Sequence, residues 1–350
     1  MTMTKEKLSN RQKLILELVL REYVTTALPV GSRALSQSYD LGVSSATVRN
    51  EMAFLEELGY LTHPHTSAGR IPTDQGYRYY VEQLMGEVTL PLTEQRMIQH
   101  QFHQVRQGME QWIKLAAAVL AHTARSAALI TAPRMVESRF KHIELIHVHG
   151  LGALLVLVTQ AGVVRQEALT LMRPLSQASL SRTARRLNDN FSGLTAREIN
   201  TLASQLSPFE SEIVAVVQSI LNELDKQGGR EVYRFGASNV LSQPEFATGD
   251  LGQQFLALFE RGTYLDQNLL QLLDVETSGE VRVIIGTEGL WEELLDLSFV
   301  LSRYGVNGIA TGTLGVLGPT RMSYERAVSA VRYVSELLSN LIYEWHGLQD

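Results

Sequence analysis

Apolar residues recur with helical spacing over the first sixty positions. Leu14, Ile15, Leu18 and Val19 share one face, Ser9 stands before them as an N-cap, and Gln12 completes a capping box three residues on, so a helix is expected over 9–23. Pro29-Val30-Gly31 interrupts the pattern, and residues 32–38 fit a short second helix. Asp40-Leu41-Gly42 reads as a tight connection, with Gly42 suited to positive φ. Ser44 caps a third helix that runs to about 58 and is ended by Gly59. Residues 60–62 and 70–72, around a polar tip at 63–69, read as a small hairpin, followed by a helix over 76–85 and a linker over 86–92.

Further on, the pattern predicts one long amphipathic helix from 93 to about 129, with Gly108 as its weak point. The period then falls to two: 142–149, 153–159 and 163–169 are β-rich runs separated by short glycine turns, an antiparallel meander. Residues 176–227 return to helix, with caps at Ser179, Thr195 and Ser207 or Pro208, and Gly228-Gly229 ends the block. A short run at 232–235 precedes helices over about 250–273. Strand candidates follow at 281–285, 299–306 and 313–317. A last helix over 323–345 carries the stripe Ala327, Val328, Val331, Val334, Leu338, Leu341 and Ile342. Helix before the meander, and strands with a helix after it, suggest one α+β domain interrupted by an insertion at about 137–228.

Composition narrows the class. The 350 residues are 45% hydrophobic and 19% charged, a globular balance. With no cysteine, disulfides, thiolate metal sites and cysteine nucleophiles are excluded. The longest apolar run, about 115–121, falls far short of the ~20 residues of a membrane span, and Thr2, Lys5, Glu6 and Lys7 do not build a signal-peptide core, so a cytoplasmic protein is expected. The net charge of −6 argues weakly against nucleic acid as a partner, because residues 1–85 hold nine Lys/Arg and nine Asp/Glu and the acidic excess lies beyond them. Any DNA is therefore bound by a few placed cations.

The third helix supplies them. With Val48 taken as inward and 100° per residue, Met52 and Leu55 fall within about 40° of it, while Ala46, Asn50 and Ala53 fall on the far side beside Arg49. Arginine can bond guanine O6 and N7 together, asparagine can pair with adenine, and an alanine methyl can meet the thymine methyl, so this face suits a major groove. The Ser44, Ser45 and Thr47 hydroxyls suit phosphate, as does Arg33 on the second helix. A short helix, a tight turn and this helix have helix-turn-helix spacing, and the hairpin, with His63, His65, Thr66, Ser67, Gly69 and Arg70 near its tip, would be a wing.

These segments resemble the heat-inducible transcription repressor HrcA family. The resemblance is carried by Ser9-Asn10-Arg11-Gln12, Pro29-Val30-Gly31-Ser32, Ser44-Ser45-Ala46-Thr47-Val48-Arg49-Asn50-Glu51-Met52, Leu58-Gly59-Tyr60-Leu61 and His65-Thr66-Ser67-Ala68-Gly69-Arg70-Ile71-Pro72-Thr73. Downstream it continues in Asn239-Val240-Leu241-Ser242-Gln243-Pro244-Glu245-Phe246, Ile285-Gly286-Thr287-Glu288 and Gly318-Pro319-Thr320-Arg321-Met322. It implies an α+β multidomain protein: an N-terminal winged helix-turn-helix DNA-binding domain (1–86), a discontinuous GAF-like α+β domain (93–136 and 229–350) and an inserted α+β dimerisation domain (137–228). It also implies repression of chaperone operons by a homodimer on a double-stranded inverted-repeat operator of the CIRCE type, with activity modulated by the GroEL chaperonin, no cofactor and no enzymatic activity. The alternative is a small-molecule-sensing winged-helix regulator with its ligand in the GAF-like domain.

Other constellations carry less. His100 and His103, or His147 and His149, have metal-ligand spacing, but no third ligand accompanies them. The glycines at 305, 308, 312, 315 and 318 fit neither phosphate-loop fingerprint, and tight strand packing explains them better. Gly318-Pro319-Thr320-Arg321 opens the last helix, where a structural junction outweighs an anion site. Glu288, Glu292, Glu293 and Asp296 lack a histidine or metal partner, and no catalytic set is present.

Overall fold

A computed structural model describes residues 8–65, 69–105, 108–135, 138–202, 206–227, 231–247, 250–260, 280–288, 296–306 and 309–346. The chain forms two compact units, one built from Met1–Thr131, Val232–Tyr304 and Thr313–Ser339, the other from Ala132–Glu231, Gly305–Gly312 and Asn340–Asp350.

The first unit opens with α1 (Asn10–Thr26), α2 (Ser32–Ser38) and α3 (Ser45–Glu57). The capping box at the start of α1 forms as the sequence predicts, with Ser9 N–H donating to Gln12 Oε1 at 2.8 Å. Its buried stripe is Ile15, Leu16, Leu18, Val19 and Leu20, whereas Leu14, assigned inward from sequence, is 44% exposed. On α3 the inward face is Val48, Met52 and Leu55, as the 100° step requires. Gly42 adopts φ 62° in the turn between α2 and α3, in the left-handed region where a side chain would strain the backbone. Two short strands, β1 (Leu61–Thr62) and β2 (Ile71–Pro72), pair antiparallel with Leu61 opposite Pro72. The next helix starts earlier than expected: α4 (Asp74–Tyr79) is capped by Thr73 and continues as a π-helical turn, Tyr80–Leu84.

The helix expected over 93–129 is two helices and a strand. α5 (Leu92–Gln104) and α6 (Met109–Ala124) are separated at Gly108, and Ala127–Thr131 forms β3. Every residue of β3 is buried, so it shows no alternation, and its apolar run reads as a continuation of the helix. β3 lies inside a sheet that also contains β8 (Val232–Phe235), β9 (Val281–Ile284), β10 (Leu297–Val306) and β11 (Ala310–Pro319), in the order β8-β3-β11-β10-β9. β4 (Arg134–Met135) pairs with the start of β11. Strands β10 and β11 are longer than the patterning suggested.

Short helices α10 (Ala237–Leu241), α11 (Pro244–Ala247) and α12 (Leu251–Glu260) supply Val240, Phe246, Phe255 and Phe259 to a core with Leu129, Ile284, Phe299, Leu301 and Leu317. Of the helices expected over 250–273 the structure describes only the part to Glu260, and 261–273 lie outside the described residues. The closing helix α13 (Tyr324–Trp345) buries Ala327, Val328, Val331, Val334, Leu338 and Ile342 as predicted, while Leu341 is only half-buried.

Within this unit the N-terminal helices are fastened to the sheet and to α13. Asp74 accepts from Thr287 N–H at 3.0 Å and from its hydroxyl at 2.7 Å. Arg78 bonds Glu288 and, at 2.8 Å, the Val283 carbonyl. Gly286, at φ 44°, leaves room for Asp74: a Cβ there would stand 2.6 Å from the Asp74 carboxylate. Arg321 donates to the Val24 carbonyl at the end of α1 (2.9 Å), to Gln243 (2.8 Å) and to both carboxylate oxygens of Glu245.

The second unit is an antiparallel meander, β5 (Phe140–His147), β6 (Gly152–Thr159) and β7 (Val164–Thr170), covered on one face by α7 (Gln177–Phe191), α8 (Ala196–Leu202) and α9 (Pro208–Gln227). The N-cap of α7 is Ser176, not the expected Ser179, whose backbone N–H it accepts. The free edge of β5 is closed by side-chain amides of α7: Asn188 bonds both the N–H and the carbonyl of Ile143, and Gln177 bonds His147 N–H and the Leu145 carbonyl. The edge of β7 carries no such cover among the described residues.

Candidate nucleic-acid interface

Because Val48, Met52 and Leu55 commit one face of α3 to the core, the residues between them must face outward. Ser44, Ala46, Arg49 and Asn50 are exposed, and Ser45 and Thr47 are half-buried. Ser44 caps α3 with its hydroxyl, accepting from Thr47 N–H at 3.2 Å with the Thr47 hydroxyl 3.1 Å away. Among the described residues the side chains of Arg33, Arg49 and Asn50 make no hydrogen bond or ion pair with the protein. An exposed guanidinium without a partner keeps its full donor fork for a ligand.

Arg33 and Arg49 line one cleft of about 270 Å³ together with Gly31, Ser32, Gly69 and Arg70. The cleft joins the start of α2, the outer side of α3 and the end of the hairpin tip. Two carboxylates of α3 are engaged by other side chains, Glu51 away from the cleft and Glu56 with Arg70 at its edge. Glu51 is held by Arg11 at 3.5 Å and by the Gln12 amide at 3.0 Å, both from α1. Glu56 pairs with Arg70 at 2.6 Å and with His63. Burial alone would push the Glu56 carboxyl up, but the bonds from His63 and Arg70 outweigh it and hold the carboxyl below its usual range.

The hairpin residues divide. His65 is exposed, and Thr66 and Ser67 lie outside the described residues. Gly69 answers to packing, since a Cβ there would stand 2.5 Å from the Val30 carbonyl. Arg70 is bound into the fold at both ends: its backbone exchanges two 2.8 Å hydrogen bonds with Val30, and its guanidinium is taken by Glu56. The structure thus brings Arg33, Arg49 and Asn50 forward as free groups and ties Arg70 down. Arg11, Glu51 and Glu56, which shape this surface, have no signal in the sequence. Their contacts join separate elements, and no local spacing announces them.

The other constellations resolve into structure. No group of three His, Asp or Glu that could hold a metal occurs among the described residues. Of the glycines that resembled a phosphate loop, a Cβ at Gly305 would lie 2.1 Å from the Ala310 carbonyl and one at Gly315 2.4 Å from that of Val300, so close strand packing accounts for both.

A sequence profile for the HrcA protein C terminal domain matches residues 110–328. A heat-inducible transcription repressor HrcA from Herpetosiphon aurantiacus is 46% identical over 348 residues, covering 97% of each chain. Another so named, from Chloroflexus aurantiacus, is 45% identical over 352 residues, covering 96% of this chain and 94% of that one. The chain belongs to the HrcA family. As a member of the HrcA family it is a transcription repressor of heat-shock genes and not an enzyme. A crystal structure of a hypothetical protein shares the fold at a TM-score of 0.60 and 24% identity, covering 97% of this chain and 98% of that one. Among the described residues, no helix is long and apolar enough to cross a membrane.

Proposed function

We propose that the protein represses transcription by binding an inverted-repeat, CIRCE-type operator in double-stranded DNA as a homodimer. Residues 1–86 act as the winged-helix DNA-binding domain, with α3 in the major groove. Arg49 reads guanine, Asn50 reads adenine and the Ala46 methyl meets thymine. Arg33, Ser44, Ser45 and Thr47 fix phosphates, and the wing residues His65, Thr66, Ser67, Gly69 and Arg70 lie along the flanking backbone or minor groove. The observation that carries this reading is the pair Arg33 and Arg49, without a partner among the described residues, on one cleft beside an equally free Asn50.

In this reading 93–136 and 229–350 form the GAF-like domain and 137–228 the inserted dimerisation domain. A dimer in the second unit is supported by the uncovered side of the meander, where Ile146 (43% exposed) and Val164 (52%) flank the half-buried Leu154, Val156 and Val158. A two-fold axis presents two copies of α3 to two half-sites, which is what an inverted repeat requires. Modulation by the GroEL chaperonin completes the proposal and rests on the family resemblance.

The test is fluorescence anisotropy of a labelled inverted-repeat duplex against a scrambled duplex over a salt series. A preference of about a thousandfold or more with a steep salt slope is expected. Equal weak binding to both duplexes, with and without chaperonin, contradicts it.

A further inference from the structure

The ends of the hairpin are not held by its own ladder, which is only two residues per strand. They are held by α3. Glu56, in the last turn of that helix, bonds His63, which follows β1, and Arg70, which precedes β2. One carboxylate therefore grips both sides of the hairpin where it leaves the sheet. The Arg70 side is braced a second time, by the paired 2.8 Å backbone bonds to Val30. We propose that Glu56 is the positioning residue of the wing: it sets the angle between the two strands of the hairpin and the exposed face of α3, so that both meet one duplex in register.

The grip is isolated. On α1, Arg11 is committed to Glu51. On α3 itself, the side chain of Glu57 is exposed and makes no bond among the described residues, and on α4 Asp74 is committed to Thr287. The groups that bear on the Glu56 carboxylate are His63 and Arg70, both from the hairpin. A carboxylate on a DNA-facing surface repels phosphate, so a Glu56 that served only as surface charge would weaken binding and its removal would strengthen it. A positioning Glu56 gives the opposite sign. This inference rests on the reading that α3 and the hairpin face DNA.

The experiment compares the intact wild-type chain with Glu56→Gln, Glu56→Asp and Arg49→Ala. Each is titrated into two inverted-repeat duplexes of identical core, one with about five extra base pairs at each end and one trimmed to the core. The wild type should bind the long duplex more tightly, because its wing has flanking backbone to meet. Glu56→Gln, with circular dichroism and melting unchanged, should lose about five- to tenfold on the long duplex and little on the trimmed one. Glu56→Asp keeps the charge with a shorter reach, and should bind the long duplex more tightly than Glu56→Gln; an Asp variant weaker than Gln would overturn the role of the carboxylate. If Glu56→Gln binds both duplexes as tightly as wild type or more tightly, the carboxylate is surface charge and the proposal falls. If Arg49→Ala also binds as wild type, the DNA-facing reading of α3 falls first. If Arg49→Ala is weakened while Glu56→Gln is not, only the positioning role is lost.

Discussion

Replacing Arg321 by methionine keeps most of its volume and removes every bond it makes. The side chain is 9% exposed and donates to the Glu245 carboxylate, to Gln243 and to the Val24 carbonyl, so one guanidinium ties the end of α1 to α11 and to the start of α13. Removing one partner of a fully buried ion pair costs about 3–5 kcal/mol, and an orphaned buried carbonyl about 1–3. Glu245 retains 31% exposure and can rehydrate, which lowers the first figure. The expected loss for Arg321→Met is about 2–4 kcal/mol, read as a fall in the urea midpoint at constant slope. A cycle with Glu245→Gln should return a coupling of about 1–2 kcal/mol, because the second substitution removes the charge the first one stranded. A loss under about 0.5 kcal/mol, or strict additivity, would refute the view that this arginine fastens the junction.

Three further outcomes follow from the same structure. Gly286→Ala forces a Cβ against Asp74 at φ 44° and should cost about 1–3 kcal/mol in the same titration, whereas a neutral result would mean that the contact with Thr287 is dispensable. Burial raises the hydroxyls of Tyr77, Tyr304 and Tyr324, so these groups stay protonated in the fold after the unfolded chain has begun to ionise. Stability is then full below about pH 10 and falls as pH rises above it, with tyrosinate absorbance appearing together with unfolding and not before it. The pair Ile146→Glu and Val164→Lys on the uncovered face of the meander should weaken the proposed dimer about tenfold or more by sedimentation, and unchanged association would place the interface elsewhere.

The legible parts of the fold were those written in local spacing. The capping box at Ser9, the inward face of α3 and, Leu341 apart, the stripe of α13 follow from period and cap chemistry alone, and each appears where the sequence puts it. β3 was missed because a strand buried on both faces has no alternation to show. Leu14 was misassigned because its helix buries a shifted stripe through Leu16 and Leu20. In the candidate interface, Arg49 and Asn50 were visible as outward groups on an amphipathic helix. The commitment of Arg70 to Glu56 was not visible, since that bond depends on where a hairpin folds back. Long-range pairs such as Gln243, Glu245 and Arg321 lay in separate recognisable segments, and only the fold shows that they meet.

The central claim is that α3 reads bases through Arg49. It is tested most directly by titrating wild type and Arg49→Ala against the operator duplex, a scrambled duplex and a set of operators changed one base pair at a time. Arg49→Ala should lose about 1–3 kcal/mol on the operator, much less on scrambled DNA, and no longer discriminate at one base pair in each half-site. Equal losses on operator and scrambled DNA, with discrimination intact at every position, would make Arg49 a phosphate contact and contradict the claim.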